Sequence, residues 1–438
     1  MLIFTPKITN RIKYTFQLVF STVYNINHSL TDDIDFFKSY NFEKLNYSNK
    51  QIDDEFYLRP HGLLDEKGIS DQDLNISKWN KLPIFFQVKN CILPFDIFSA
   101  SFFLVSRYEE YLPHIKDRFG RFTAKESFAF KNNFLEIPLI NLWLKEFQKI
   151  IELKFPEIIF PKKKFTYQST IDIDNAYFFL EKGVVRTAAS FIRSALQLDK
   201  ESILERRDVL LGKLSDPYDT YDYQLKLNEK YNIDVLYFFL LADYGLNDKN
   251  CLTQSRKFQL LIKHLSDYAK TGIHPSYSSN DNIDKLLIEK KRLEDITKKE
   301  VKFSRQHFLK LEIPKTYRNL IELSISDDYT MGYASYFGFR ASICTPFYFY
   351  DLEEELLTKL KIHPFSIMDA TFKYYLKLNP HETLEKIKLI IDEVKNVDGH
   401  FISLWHNETW SNYKEWEGWM HLYEQMLIHI NNDLSHNS

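Results

Sequence analysis

From residue 165 onward the sequence alternates short apolar runs with stretches of helical periodicity, and this alternation constrains the fold more than any other feature. The apolar runs predict strands at Phe165–Asp174, Ile233–Leu240, Thr271–His274, Val301–Phe308, Tyr336–Ala341, Pro364–Met368 and His400–Trp405. Helices are predicted at 178–213, Asp219–Lys230, Gln254–Lys270, Asn282–Lys299 and Lys414–Ile430. Strands separated by helices pair in parallel, so the sequence predicts an α/β fold built on a parallel sheet or barrel.

The first third of the chain predicts a smaller α/β domain. Its clearest elements are helices at Phe95–Leu112 and Ile140–Lys154. The following stretch, Phe155–Lys164, contains two prolines and three consecutive lysines and is typical of a linker. We therefore expect an N-terminal domain over 1–154, a linker over 155–164 and a second domain over 165–431. No motif in residues 1–154 indicates a role for that domain.

Charge and composition exclude several classes of protein. Lys and Arg number 57 against 60 Asp and Glu, a net charge of −3, so we expect no nucleic-acid partner. No run approaches the roughly 18 apolar residues of a transmembrane segment. The first twenty residues lack the pattern of a secretory signal, so we expect a cytoplasmic protein. The three cysteines lie far apart and predict neither disulfides nor a thiolate zinc site, and the sequence specifies no oligomeric state.

Ionisable side chains recur at the carboxyl ends of the predicted strands, where barrel enzymes hold their active sites. Asp172 and Asp174 end the first of these strands and face the same side of it, because they are two residues apart. Two such carboxylates can have different roles: one can bind a divalent metal while the other acts as general base. The alternative is that they cap the following helix.

Three further positions can join this acid pair. His274 precedes a proline that fixes the direction of the turn, as suits a metal ligand, although a histidine hydrogen-bonded within its loop is the alternative. Arg305 and His307 share one face of a predicted strand. A buried arginine needs an anionic partner, for which Asp172 is the candidate. A structural salt bridge beside a core histidine is the alternative for this pair.

A late strand ends in Trp405 and His406, and His406 is a candidate general acid. Such a histidine needs a carboxylate that fixes its tautomer, and Asp369 is the candidate, whereas a surface histidine is the alternative. Together these are the residue types that metal-assisted hydrolysis uses. In this hypothesis Asp172 deprotonates the attacking water and His406 protonates the leaving group.

The order of these motifs resembles the polysaccharide deacetylase family, carbohydrate esterase family 4. The motifs are T-x-D-x-D ending at Asp174, H-x-S from His274, R-x-H-F from Arg305 and L-W-H ending at His406. The resemblance covers the region after residue 165 and is similar to a bacterial branch with an additional N-terminal domain. It implies a distorted (β/α)7 barrel that uses zinc or a similar divalent metal to remove acetyl groups from sugars, with an acetylated saccharide as substrate.

The resemblance also implies a role for each matching residue. Asp172 corresponds to the base, Asp174 and His274 to metal ligands, Arg305 to the residue orienting the base, and His406 to the general acid. The sequence departs from the family at Ser278, where a second metal-binding histidine is usual.

Serine is a poor metal ligand beside imidazole, so we expect His307 to be the third ligand. The alternative is a catalytically inactive relative that binds carbohydrate, or acts as a scaffold, without metal. Hydrolysis of another amide is a further enzymatic alternative. A two-carboxylate glycoside hydrolase fits poorly, because its acids flank the scissile bond from opposite sides.

Overall fold

The structure is a computed structural model that describes residues 1–431, and its first third contains a small parallel sheet with helices packed against it. The strands are β1 (Leu2–Phe4), β2 (Ser29–Thr31), β3 (Lys44–Tyr47) and β4 (Phe56–Leu58), in the order β2-β1-β3-β4, followed by the hairpin β5 (Ser77–Trp79) and β6 (Leu82–Ile84). The helices are α1 (Asn10–Phe16), α2 (Ile34–Ser39), α3 (Ile97–Val105), α4 (Tyr108–Tyr111), α5 (Phe128–Lys131) and α6 (Leu139–Lys154).

The predicted helix Phe95–Leu112 is α3 followed by α4. Asp96 begins α3 by accepting hydrogen bonds from the backbone N–H groups of Phe98 and Ser99. The break falls at Arg107, whose φ of 56° lies in the left-handed region. The predicted helix Ile140–Lys154 corresponds to α6. Residues 155–165 contain no helix or strand.

The remainder of the described chain forms a nine-stranded sheet with helices between its strands. The strands are β7 (Thr166–Ile173), β8 (Asp234–Phe239), β9 (Lys270–Ile273), β10 (Phe303–Ser304), β11 (Asp327–Asp328), β12 (Phe347–Asp351), β13 (Leu356–Ile362), β14 (Ile367–Met368) and β15 (His400–His406). The helices are α7 (Val184–Leu196), α8 (Lys200–Leu210), α9 (Tyr221–Tyr231), α10 (Arg256–Tyr268), α11 (Ile283–Thr297), α12 (Lys315–Glu322), α13 (Pro380–Asn396) and α14 (Trp419–Asn431). Short 3-10 or π turns occupy Gln17–Val23, Leu63–Asp65, Ala124–Glu126, His307–Leu309, Thr371–Tyr375, Asn407–Ser411 and Lys414–Trp416.

The strand order is β12-β13-β11-β10-β9-β8-β7-β15-β14, and every neighbouring pair except β12 with β13 is parallel. This confirms the predicted α/β fold with parallel pairing. The register brings Asp172 level with His406 on one side and with Phe238 on the other. Parallel strands direct their carboxyl ends to the same edge, so the ionisable residues at those ends come together there.

Three predicted strands differ from the structure, and one of them, Pro364–Met368, is limited to the two residues of β14. The predicted strand Val301–Phe308 is limited to β10, because the backbone turns after Ser304 and Phe308 has a φ of 59°. The predicted strand Tyr336–Ala341 is wrong: this segment has no regular structure, and Gly338 has a φ of 118°. A Cβ on Gly338 would lie 2.4 Å from the carbonyl oxygen of Leu135, so the segment packs directly on the N-terminal region.

A buried ion-pair network joins the N-terminal region to the large sheet. Glu110 accepts hydrogen bonds from Arg107 (Nε to Oε1, 2.7 Å) and from Arg340 (Nε to Oε1, 2.9 Å, and Nη2 to Oε2, 2.6 Å). All three side chains are at most 3% exposed. Arg340 also donates to the carbonyl oxygen of Gly332, and Arg107 donates to the carbonyl oxygen of Arg340. The two regions therefore share a charged as well as an apolar interface.

The C-terminal helix begins later than the sequence predicts. The predicted span Lys414–Ile430 starts with a 3-10 turn over Lys414–Trp416, and α14 follows only after Gly418, whose φ is 83°. Across the part of the chain that the structure describes, none of the helices has both the length and the apolar character needed to cross a bilayer.

Candidate active site

A cleft of about 440 Å³ opens at the carboxyl ends of the central strands, and it contains most of the residues singled out from the sequence. Asp172, Asp174, His274, His307 and His406 all line it. Arg305 and Asp369 lie directly behind the lining, each hydrogen-bonded to one of these residues. The sequence-predicted set is therefore assembled in one place.

Asp172 and Arg305 form the buried pair that the sequence predicts. Arg305 Nη1 donates to Asp172 Oδ1 at 3.0 Å, and neither side chain is more than 2% exposed. Arg305 Nε donates to the carbonyl oxygen of Tyr329, and the guanidinium lies 4.7 Å from the ring centre of Phe238. Burial lowers the pKa of Arg305, and the charge of Asp172 opposes this. The arrangement fixes Oδ1 of Asp172 and directs Oδ2 to within 3.7 Å of His274 Nε2.

Asp174, His274 and His307 bring three metal-binding atoms together. His274 Nε2 lies 3.2 Å from Asp174 Oδ1, and His307 Nε2 lies 3.5 Å from Asp174 Oδ2. One ligand atom from each residue falls within 4.8 Å of the other two. Although burial opposes it, the charge of His307 and hydrogen bonding by His274 hold the pKa of Asp174 well below its ordinary value.

Each of the two imidazole rings is oriented by a hydrogen bond at Nδ1. Nδ1 of His274 lies 2.6 Å from the carbonyl oxygen of Arg305, and Nδ1 of His307 lies 2.9 Å from Oδ1 of Asp248. With Nδ1 donating, Nε2 of each ring faces Asp174, where its lone pair would be available to a cation bound between them. Burial opposes a charge on His307, but the carboxylates of Asp174 and Asp248 raise its pKa to about 9.

These residues fit a divalent cation. Two ligands with bond lengths of 2.0–2.2 Å at a tetrahedral centre lie roughly 3.4 Å apart, close to the observed separations. Oδ1 of Asp174 is buried and faces Nε2 of His274 at 3.2 Å, a separation that suits two ligands of one cation. Ser278 is outside this group. Its backbone N–H instead donates to Oδ2 of Asp248 at 3.2 Å, so it helps to hold the carboxylate behind His307.

His406 forms the predicted hydrogen bond with Asp369, at 2.7 Å between Nδ1 and Oδ1. The backbone N–H of His406 donates to Oδ2 of the same carboxylate, and Thr409 donates to it as well. Burial would lower the pKa of His406, but the charge and hydrogen bond of Asp369 raise it well above the ordinary value. Nε2 lies 3.9 Å from Asp174 Oδ2, so a proton on Nε2 faces the cleft.

Sequence reasoning missed two contributions to this site. Asp248 follows β8, and a carboxylate in the loop after a strand is a weak signal that could have been used. The second is a wall that the N-terminal region supplies through Arg118, Phe119 and Arg121. Arg121 donates to the carbonyl oxygen of Phe308 at 2.6 Å, so it fixes the segment that contains His307. No local pattern in residues 117–121 marks this contact.

Comparison with known proteins gives one match to a family model and several similar solved structures. Residues 1–156 match the model of a family of unknown function (DUF7033). No curated protein matches the sequence. The match to the family model covers less than half of the chain, so it does not assign the whole protein to that family.

Several solved structures are similar to most of the chain. A candidate polysaccharide deacetylase from Mycobacterium smegmatis is 11% identical and has a TM-score of 0.41, with 63% of this chain and 87% of that chain covered. A candidate polysaccharide deacetylase from Pseudomonas aeruginosa is 10% identical with a TM-score of 0.39, covering 60% and 84%. A CE4-family pseudoenzyme from Bacillus anthracis is 12% identical with a TM-score of 0.30, covering 60% and 62%. At these values the functional argument rests on the geometry of the site.

Proposed function

We propose that the protein is a metal-dependent hydrolase that removes acetyl groups from a carbohydrate. The observation that carries the proposal is the convergence of Asp174, His274 and His307, with each imidazole held at Nδ1 so that Nε2 is free to bind a cation. The acetylated saccharide is implied by the resemblance of the sequence motifs to polysaccharide deacetylases. The oxygen and nitrogen donor set, and the absence of thiolates from it, suit zinc.

We extend the proposal to the architecture. Starting from β7, the parallel strands follow in chain order through β8, β9, β10, β11 and β13, then β14 and β15, and β15 pairs with β7 again. This cyclic order, with no ladder between β13 and β14 in the described residues, is that of a distorted barrel open at one point. Residues 1–154 form its N-terminal domain, joined by a linker at 155–164.

Asp172 acts as the general base. Arg305 occupies Oδ1, so Oδ2 is the atom that accepts the proton of the attacking water. Asp174, His274 and His307 would hold a divalent cation, which would supply Lewis acidity for the acetyl carbonyl and the attacking water. Water adds to the carbonyl carbon, the bond from that carbon to the sugar nitrogen or oxygen breaks, and acetate is released.

His406 acts as the general acid. Its Nε2 donates a proton to the departing sugar nitrogen or oxygen, and Asp369 stabilises the imidazolium before that transfer. The proton that Asp172 has taken from water is released to solvent or returned to His406, so the cycle balances as hydrolysis. Asp248 and Asp369 act as positioning residues, one for His307 and the other for His406.

A second candidate is a relative that binds carbohydrate without turnover. Ser278 in place of the expected histidine favours it, because that position offers the metal no imidazole. His307 weighs against it, since a buried imidazole points at Asp174 from a different segment. Metal-dependent release of acetate separates the two candidates.

The test is acetate release from acetylated oligosaccharides, N-acetylated and O-acetylated, by the zinc-loaded protein. We expect Asp172→Asn and His406→Gln each to lower the rate by about 10²–10⁴-fold. His264→Gln, an exposed histidine outside the cleft, is the matched control and should have no effect. A rate unchanged by both cleft substitutions would overturn the proposal. Saccharide binding without acetate release would favour the second candidate.

A further inference from the structure

A second cleft, of about 400 Å³, adjoins the active site and is lined by basic side chains. Lys182, Arg186, Arg193, Arg206 and Lys249 contribute to it, and none of the residues lining it is acidic. We call these five residues the basic cleft. Within residues 1–431 none of the five forms an ion pair with a carboxylate, although acidic residues outnumber basic ones in the whole chain. Positive charge gathered in a concave site, with carboxylates near Lys182 and Arg206 only beyond ion-pair distance, favours an anionic ligand.

Two of the basic residues are held in place by hydrogen bonds and still have hydrogen-bond donors without a partner. Arg186 donates through Nε to the carbonyl oxygen of Lys182 and through Nη1 to that of Asn250, while Nη2 is buried without a hydrogen-bond partner. Lys182 donates to the side chain of Asn175. The Arg186 guanidinium therefore keeps hydrogen-bonding capacity that the described residues do not satisfy.

The helix that supplies Arg186 and Arg193 has an uncovered apolar face. Val184, Val185, Ile192, Leu196 and Leu198 are between 62% and 87% exposed, and we call them the α7 apolar face. Positions 185, 192 and 196 share one side of the helix, while the arginines and Ser190 flank it toward the basic cleft. In the following helix and loop, Leu204, Leu210, Leu211 and Leu214 are also exposed.

An apolar helix face with basic residues along its flank is the pattern of helices that lie at a bilayer surface. The aliphatic side chains enter the acyl region, and the arginines meet lipid phosphates at the headgroup level. Tyr244, 57% exposed at the rim of the basic cleft and 4.3 Å from the Arg186 guanidinium, has the amphipathic character favoured at that level. Charge complementarity therefore selects an anionic phospholipid bilayer as the occupant.

The basic cleft lies next to the candidate active site. Asn175 lines it and directly follows Asp174, and Lys182 holds the Asn175 side chain. We propose that α7 docks on an anionic bilayer, with phosphate groups in the basic cleft, so that the adjoining active site meets acetylated saccharide carried on a phosphate-bearing lipid. The docking is inferred only from the α7 apolar face and the basic cleft, whereas the identity of the saccharide rests on the proposed function.

The experiment is co-sedimentation of the full chain with vesicles of phosphatidylcholine, with and without phosphatidylglycerol, in the absence of added metal and saccharide. We expect binding only to the anionic vesicles. Ile192→Asp with Leu196→Asp, and separately Arg193→Glu with Lys249→Glu, should each weaken it at least tenfold; the loss of one basic residue corresponds to about fivefold. Circular dichroism confirms that each variant is folded.

Matched controls are Leu153→Asp, which changes a leucine that is 85% exposed on α6, and Lys359→Glu on β13, and both should bind as the wild type does. Absence of binding, equal binding to neutral vesicles, or binding unaffected by both double variants would overturn the inference. Binding of inorganic phosphate without vesicle binding would also overturn it. Acetate release from soluble oligosaccharides is measured separately, so failure of docking leaves the proposed function standing, and failure of acetate release leaves docking standing.

Discussion

Glu110→Gln tests the ion-pair network between the N-terminal region and the large sheet. The glutamate is buried between Arg107 and Arg340, whose charges and hydrogen bonds outweigh burial and lower its pKa to about 2 from the ordinary 4.5. At about 1.4 kcal/mol per pKa unit, this difference corresponds to about 3 kcal/mol of folding stability at neutral pH. The amide removes that charge and leaves Arg340 buried without a carboxylate partner, while Arg107 keeps Glu109 at 2.8 Å; breaking a buried pair costs about 3–5 kcal/mol.

The measurement is the free energy of unfolding by urea at pH 7. We expect Glu110→Gln to lower it by about 3 kcal/mol. Glu354→Gln, at a glutamate 68% exposed in a surface pair, is the control and should leave it within error. The pH dependence has a definite sign: the contribution of Glu110 is fully present above its ordinary pKa and is lost as pH falls from 4.5 toward 2. A loss below about 0.5 kcal/mol would refute this reasoning.

Two more predictions concern single side chains. Asp248→Asn keeps the shape of the side chain behind His307 but removes its charge. We therefore expect zinc affinity, measured by chelator competition, to fall about 10–100-fold. Asp243→Asn, at an exposed aspartate outside the cleft, is the control and should leave zinc affinity unchanged. Burial, then the charge of His363, lowers the pKa of His400 to about 4 from the ordinary 6.5, so between these pH values the unfolded chain binds a proton that the folded protein does not, and stability falls as pH falls. Urea unfolding should therefore show wild type losing about 1.4 kcal/mol per pH unit between pH 6.5 and 4 relative to His400→Gln; parallel profiles would contradict this.

Long apolar runs with polar ends made the centre of the sheet predictable. β8 and β15 correspond to predicted strands because each buries a run of mainly apolar side chains, and the predicted strands that became β7 and β9 end in buried isoleucines beside polar residues. The hydrogen bond between His406 and Asp369 could also be predicted, since a histidine with a raised pKa requires a carboxylate. Whether these residues act as proposed stays a prediction.

The segment after β10 shows where local reasoning fails. Strand alternation was the argument for Arg305 and His307 sharing a face, yet the strand ends at Ser304. Both residues reach the cleft because their backbone N–H groups donate to the carbonyl oxygens of Ile273 and Pro275, which align this segment with β9. A local pattern does not specify such pairing.

Contacts between distant segments were the least predictable. Gly338 and Arg340 looked like part of a strand, but a buried carboxylate 230 residues away determines the place of Arg340. The wall of the cleft formed by Arg118, Phe119 and Arg121 could not be predicted either, because no motif in residues 1–154 indicated a role for them. Such contacts follow from packing of whole elements, which one sequence does not reveal.

The metal content of the purified protein tests the central claim most directly. Wild type is compared with Asp174→Ala, His274→Ala and His307→Ala after zinc loading and dialysis, with Ser278→Ala as the matched control. The account predicts one equivalent of zinc in wild type and in Ser278→Ala, and its loss in the other three variants. Zinc retained by His307→Ala, or no zinc bound by the wild type, would contradict the proposed site.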